Sequence, residues 1–223
     1  MHVLFDLDGT LTDSREGIVR CYQHALAELG RAAPPASDLA ACVGPPLAAC
    51  FRSLLETDDR DTIENAVASY RRRFEERGMF ENALYPGIAD AVAALTGEGH
   101  RLYVVTAKPA VYATQILKHF AIDAFFQAVY GPEMGQRYFD KAALVETALK
   151  TSRIPPVAAC MAGDRSDDVA AAKENGLHAI GVTWGYGGHD ELSRSGADVL
   201  IDSASEFLNY IRTRQTSLTK HAH

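Results

Sequence analysis

Asp6 and Asp8 lie two residues apart in FDLDGTLTDS, where a short apolar run meets Gly9. Side chains alternate along a strand, so both carboxylates share a face while Leu7 turns the other way. Two carboxylates this close repel when both are ionised, unless a cation lies between them or one carries a proton. Either solution is chemically useful. With Mg2+ bound, one carboxylate can attack an electrophilic phosphorus while the other passes a proton to the departing oxygen. A calcium loop is excluded: counted from Asp6, Leu11 occupies the position that requires Gly and Gly17 the one that requires Glu. A strand-end turn carrying two solvated acids is the plain alternative.

Three further places carry groups suited to the same chemistry. Thr106 ends the apolar run of VVTAKP, and its hydroxyl with the backbone N–H groups that follow, at Ala107 and Lys108, could hold a phosphoryl oxygen. Lys141 opens a helical pattern in FDKAALV and would set a positive charge beside the acids; a surface lysine leading a helix is the alternative. In CMAGDRSDD, Asp164 follows Gly163, with Asp167 and Asp168 next in line. A strand followed by G-D-x-x-x-D and a helix offers hard oxygen ligands for Mg2+, although one of these acids could simply cap the helix.

The elements that must position these residues alternate along most of the chain. Apolar runs at HVLFDLD, RLYVVTA, QAVYG, VAACMAGD, HAIGVTWG and DVLID read as strands. Helical periods fill most of the intervals, in PGIADAVAALTGEG, AVYATQILKHF, DKAALVETALK, SDDVAAAKENG and SASEFLNYIRT. This order predicts an α/β protein with a doubly wound, Rossmann-like parallel sheet, whose ligands lie beyond the carboxyl ends of the strands. From Ser14 to about Glu81 only helical patterns occur, with Ile18, Tyr22, Ala25 and Leu29 on one face and Ile63, Val67, Tyr70 and Phe74 on another. Asp13 with Glu16 resembles a capping box, and Gly30 and Gly78 stand where helix C-caps belong. The predicted organisation is a core of residues 1–12 and 82–223 with an inserted all-helical domain at 13–81.

Composition bounds the function. Of 223 residues, 47% are hydrophobic, which suits a globular chain, and the net charge of −7 argues against nucleic-acid binding. The densest basic run, Arg71-Arg72-Arg73, is followed at once by Glu75 and Glu76 and reads as a solvated helix face. Cys21, Cys42, Cys50 and Cys160 show neither C-x-x-C spacing nor histidine partners, so they suggest a reduced compartment rather than a zinc site or disulfide framework. The first apolar run is short and leads straight into acids, and no run of about 20 apolar residues occurs, so the expectation is a cytoplasmic protein with no signal peptide and no membrane partner.

DLDGT, VVTAKP, DKAA and GDRSDD, in this order and each at a strand end or helix start, resemble the four motifs of the haloacid dehalogenase-like superfamily. YPGIADAVAAL, GVTWGYGG and SGADVLID are similar to its phosphoglycolate phosphatase-like branch, as is a helical cap inserted after the first strand. The resemblance implies a phosphatase in which Asp6 is the nucleophile that becomes aspartyl-phosphate and Asp8 the acid/base. Thr106 and Lys141 would bind the transferring group. Asp6, the backbone carbonyl of Asp8, and Asp164 would hold Mg2+, with Asp168 in support. Gly9, Thr10, Ala107 and Lys108 would line the substrate, and the cap would choose it, with Arg15, Arg71 or Arg73 available for a substrate carboxylate or second phosphate. The partner expected is a small phosphorylated metabolite, and the chain a monomer or homodimer.

Other activities of the superfamily are narrowed residue by residue. Dehalogenases lack the second aspartate, which is present here as Asp8. Phosphonoacetaldehyde hydrolases need a cap lysine, and no lysine precedes Lys108. A mutase of the β-phosphoglucomutase type and a pyrophosphatase stay open, since protection of the intermediate from water depends on cap closure. The third motif reads FDKAALV rather than the Lys-Pro-x-Pro of many phosphoglycolate phosphatases, as in relatives proposed to act on nucleotides or other monoesters. A nucleotide-binding module without chemistry lacks support, because GYGG fails G-x-G-x-x-G spacing and no G-x-x-x-x-G-K-[ST] occurs.

Overall fold

Val3, Leu4 and Phe5 are buried side by side, which is what a strand covered on both faces requires. They belong to β1 (His2–Phe5). The computed structural model describes residues 1–134 and 140–220. After β1 come β2 (Thr12–Asp13), α1 (Arg15–Glu28), α2 (Ala36–Leu39), α3 (Leu47–Leu55), α4 (Arg60–Arg73) and β3 (Ala83–Leu84). The chain continues through α5 (Ile88–Gly97), β4 (Arg101–Val105), α6 (Ala110–His119), β5 (Phe126–Tyr130), α7 (Lys141–Thr151) and β6 (Ala159–Gly163). It closes with α8 (Ser166–Glu174), β7 (His178–Val182), α9 (Gly188–Arg194), β8 (Val199–Ile201) and α10 (Ala204–Lys220).

The six runs read as strands form one parallel sheet in the order β5-β4-β1-β6-β7-β8. Alternate residues of the strands serve opposite layers. Leu4, Tyr103, Val105 and Met161 join Val145, Ala148 and Leu149 of α7 and Val169 of α8 in one core. Phe5 turns the other way and packs on Phe207 of α10, with ring centroids 5.3 Å apart. This is the doubly wound α/β architecture that strand and helix alternation predicts. Among the described residues, no helix is long and apolar enough to cross a membrane.

The chain divides into two compact units, Met1–Asp13 with everything from Leu84 onward, and Ser14–Ala83. The second is helical apart from Ala83, which opens β3. Its core is aromatic: Tyr22 lies 5.0 Å from Phe51 and 4.9 Å from Tyr70 between ring centroids. The face of α1 departs from the sequence reading at its end, because Leu26 is buried whereas Leu29, just past the helix, is only half-buried. Two local expectations need correction. Ser14, not Asp13, is the N-cap of α1, and it makes no side-chain cap bond. Helix α3 starts after Pro46, whose extended backbone (φ −59, ψ 133) makes it the N-cap.

Gly78 is the second correction, since it packs rather than caps. It ends a π-helical turn, Phe74–Gly78, where a side chain would meet Cys21 Sγ at 2.4 Å. Gly17 faces it from α1, and a Cβ there would stand 2.0 Å from the Gly78 carbonyl oxygen. Backbone cannot retreat as a side chain can. Gly17→Ala should therefore cost the helical unit about 1–3 kcal/mol or more, read as a lower midpoint in urea with the slope unchanged. An unchanged midpoint would show that α1 slides freely on the π turn.

Candidate active site

Strand β1 ends at Phe5, so Asp6 and Asp8 stand on the turn just beyond it. The Asp6 N–H still follows the sheet, donating to the Ala162 carbonyl at 2.9 Å. The Leu7 carbonyl then accepts from the N–H groups of Thr10, Leu11 and Thr12 at 3.3, 2.9 and 3.0 Å, which closes the turn. Gly9 holds φ +88 in it, a left-handed conformation that glycine adopts without strain. A Cβ at Gly9 would fall 2.2 Å from Asp164 Oδ2, so the turn fits only against the carboxylate that follows β6.

Strands β1, β4 and β6 are neighbours, and their carboxyl ends bring Asp6, Thr106 and Asp164 together. Asp140 caps α7 by accepting from the N–H groups of Ala142 and Ala143 at 2.9 and 3.3 Å. That fixes Lys141 as the first helical residue, and its side chain is only 5% exposed. Its ammonium lies 3.2 Å from Asp6 Oδ1 and pairs with Asp168 Oδ1. Asp168, in the first turn of α8, uses its other oxygen to accept from the Arg165 N–H at 3.0 Å. Asp164 is fully buried and accepts from Thr10 Oγ1 at 3.2 Å and from the Tyr186 N–H at 2.7 Å.

Three carboxylates facing one ammonium leave an excess of buried negative charge. Burial pushes the Asp6 carboxyl above its usual range, against the opposing pull of Lys141. Asp164 is pushed up to about 7 by burial and next by the charge of Asp6. Asp168 is raised well above its usual value, again by burial first. Burial also works against the Lys141 ammonium, yet the facing carboxylates of Asp168, Asp6 and Asp167 outweigh it and hold the proton.

The donor set suits a hard divalent cation. One oxygen from each of Asp6, Asp164 and Asp168 lies within 4.8 Å of the others. Asp6 Oδ1, close enough to Lys141 to pair as an ion, makes no hydrogen bond, and Asp8 Oδ1 is likewise buried without one. All-oxygen ligation of this kind fits Mg2+.

A pH dependence follows from these directions. A carboxyl whose pKa is raised on folding adds stability below its unfolded value, and that contribution is lost as pH rises through the folded value. With a chelator present, the melting temperature should thus fall between pH 5 and pH 8, spanning the value near 7 at Asp164. Added Mg2+ should raise it more at pH 8 than at pH 5, as calorimetry can check. An equal gain at both values would remove the buried acids as the cation's ligands.

Asp8 pairs with Lys108 through Oδ2 and Nζ at 2.8 Å, and the Lys108 N–H donates to Thr106 Oγ1 at 3.2 Å. Ala107, between them, is exposed, while the Thr10 hydroxyl serves Asp164. Arg15 and Arg71 belong to the helical unit, Arg15 exposed at the start of α1 and Arg71 half-buried in the last turn of α4. Arg73, also offered for substrate, is committed within that unit to Glu81, at 2.7 and 3.1 Å.

Sequence reasoning missed the groups that frame Asp164 and Asp168. A Cβ at Gly163 would fall 2.1 Å from Asp168 Cγ, one at Gly185 2.3 Å from Asp164 Cβ, and one at Gly187 2.2 Å from the Asp164 carbonyl oxygen. Glu191 of α9 holds the start of α8, accepting from the Ser166 N–H at 2.8 Å and from Arg165 Nε at 3.0 Å. The available signal is the cluster of glycines in TWGYGG, which the sequence reading uses as a mark of the branch and as a failed dinucleotide motif, not as support for the acids.

A family model described as haloacid dehalogenase-like hydrolase matches residues 3–182. A 5'-nucleotidase from Pseudomonas aeruginosa is 44% identical over 191 residues, covering 86% of this chain and 86% of that protein. A phosphoglycolate phosphatase from Cupriavidus necator is 32% identical, over 90% of this chain and 88% of that one. The crystal structure of a predicted phosphatase from Clostridium acetobutylicum superposes with a TM-score of 0.86 at 38% identity, over 95% of this chain and 98% of that one.

Proposed function

Because the chain belongs to the haloacid dehalogenase-like hydrolases, we propose that it hydrolyses a small phosphomonoester through a phosphorylated Asp6, with Mg2+ held by Asp6, Asp164, Asp168 and the Asp8 carbonyl. The observation that carries this reading is Asp6 itself: a buried carboxylate at the end of β1, facing the Lys141 ammonium and sharing its site with two further acids. Such a carboxylate needs no base to become a nucleophile.

One Asp6 oxygen bonds to phosphorus as the ester P–O bond breaks, and the departing oxygen takes the proton of the Asp8 carboxyl. Asp8, now ionised, removes a proton from water. The water oxygen bonds to phosphorus, the Asp6–phosphorus bond breaks, and both acids return to their starting states as phosphate leaves. Thr106 and Lys141 orient the phosphoryl oxygens, and Lys108, beside Asp8, lies toward the leaving group. The bound cation supplies charge neutralisation where a dianionic substrate meets buried acids.

The helical unit is the cap that chooses the leaving group. We favour a 5'-nucleotide-like monoester over phosphoglycolate, which the similarity to a 5'-nucleotidase and the FDKAALV form of the third motif both support. Phosphate release from 5'-nucleotides, phosphoglycolate, β-glucose 1-phosphate and pyrophosphate, with Mg2+ or chelator, tests it. The expected result is Mg2+-dependent release, fastest from a 5'-nucleotide. Release from pyrophosphate alone, or isomerisation of the sugar phosphate without release, would replace the reading with a pyrophosphatase or a mutase.

A further inference from the structure

One oxygen of Asp164 is held by the segment between β7 and α9, and the other by Thr10, which that same segment holds. Oδ2 accepts from the Tyr186 N–H at 2.7 Å. Oδ1 accepts from Thr10 Oγ1 at 3.2 Å, and the Thr10 carbonyl accepts in turn from the indole Nε1 of Trp184 at 3.0 Å. The ring of contacts therefore runs from Asp164 through Thr10 to Trp184 and back through Tyr186. Gly185, between those two aromatic residues, lies so close that a Cβ would fall 2.3 Å from both Asp164 Cβ and the Gly9 carbonyl oxygen. Tyr186 also reaches outward, its hydroxyl donating to Asp13 Oδ1 at 3.0 Å. Asp13 is the last residue before the helical unit.

We infer that the Trp184–Tyr186 loop is a positioning device for Asp164, fixing the carboxylate for a divalent cation and anchoring that geometry, through the Tyr186 hydroxyl, to Asp13. The inference rests on the reading of Asp164 as a cation ligand. A ligand oxygen that already accepts one hydrogen bond keeps a lone pair free but loses rotational freedom, so the cation meets an ordered site. Partners of this kind typically change metal affinity by about 10–100-fold. Tyr186 acts on Asp164 through its own backbone, so releasing its hydroxyl frees the loop without touching the ligand.

Mg2+ titration without substrate tests the device. Trp184 is the chain's one tryptophan and adjoins the loop's contacts, so its emission reports binding in every variant that retains it, with calorimetry as the independent measure. Tyr186→Phe should weaken Mg2+ about 10-fold, at the low end of that range, with the melting temperature of the chelated protein nearly unchanged. Asp13→Ala should cause the same loss, the double variant no more than either, and Asp13→Asn, which keeps an acceptor oxygen, should bind like the native protein. Native affinity in Tyr186→Phe, or additive losses in the double variant, overturns the device while the cation site stands. No binding of Mg2+ to the native protein, by emission and calorimetry alike, overturns the cation reading and the device together.

Discussion

Asp6→Asn should lose phosphate release by on the order of 10^4-fold or more while melting no lower than the native protein in chelator. An amide cannot form the acyl phosphate, and removing a covalent nucleophile costs about this much in enzymes whose groups act as a unit. Stability responds in the opposite sense to a usual buried substitution. Asp6 is a buried carboxyl whose charge also raises Asp164 and Asp168. The near-isosteric amide removes that repulsion, and Lys141 keeps Asp168 as its ion partner. Phosphate release and thermal melting on the same sample separate the two effects. Full activity in a folded Asp6→Asn protein would sink the assignment of the nucleophile.

Lys141→Met is the second large change, and it strikes fold and chemistry together. The side chain is 5% exposed and is the ammonium that faces Asp6 and Asp168. Removing one partner from a buried ionic cluster typically costs about 3–5 kcal/mol, because the charges left behind have neither water nor a counter-ion. The metal-free variant should be destabilised more at pH 8 than at pH 6, since acids with raised pKa values escape their repulsion by taking up protons. Mg2+ should restore part of the stability. Activity should stay down by about 10^2–10^3-fold or more, because the phosphoryl oxygens lose a fixed positive charge. Urea unfolding at both pH values, with and without Mg2+, measures the first effect and phosphate release the second. Equal stability losses at the two pH values would show that Lys141 acts by packing alone.

The sheet was legible because its strands are short, mostly apolar runs, several of them closed by glycine or acid, a pattern that needs no long-range information. The long helices were legible for the same reason. Helix α9 was not, since GHDELSR is short, polar and glycine-led and buries only Leu192. Gly78 looked like a cap because its sequence context matches one, whereas its function is set by Gly17, about 60 residues away. At the site, acids, threonine and lysine announce themselves by side-chain chemistry. The support for Asp164 comes in part from a backbone N–H at Tyr186 and from bare glycine surface, which the letters show only as a cluster of glycines and not as chemistry.

The glycines around the acids bear on how this protein can change over generations. Asp164 and Asp168 fill the volume that side chains at positions 9, 163, 185 and 187 would occupy. Every missense codon change at a glycine adds bulk, so heritable variation at these four places runs in one direction, into the acids. If the helical unit is the cap proposed above, new substrate preferences would arise in that one uninterrupted stretch of the chain rather than beside the acids.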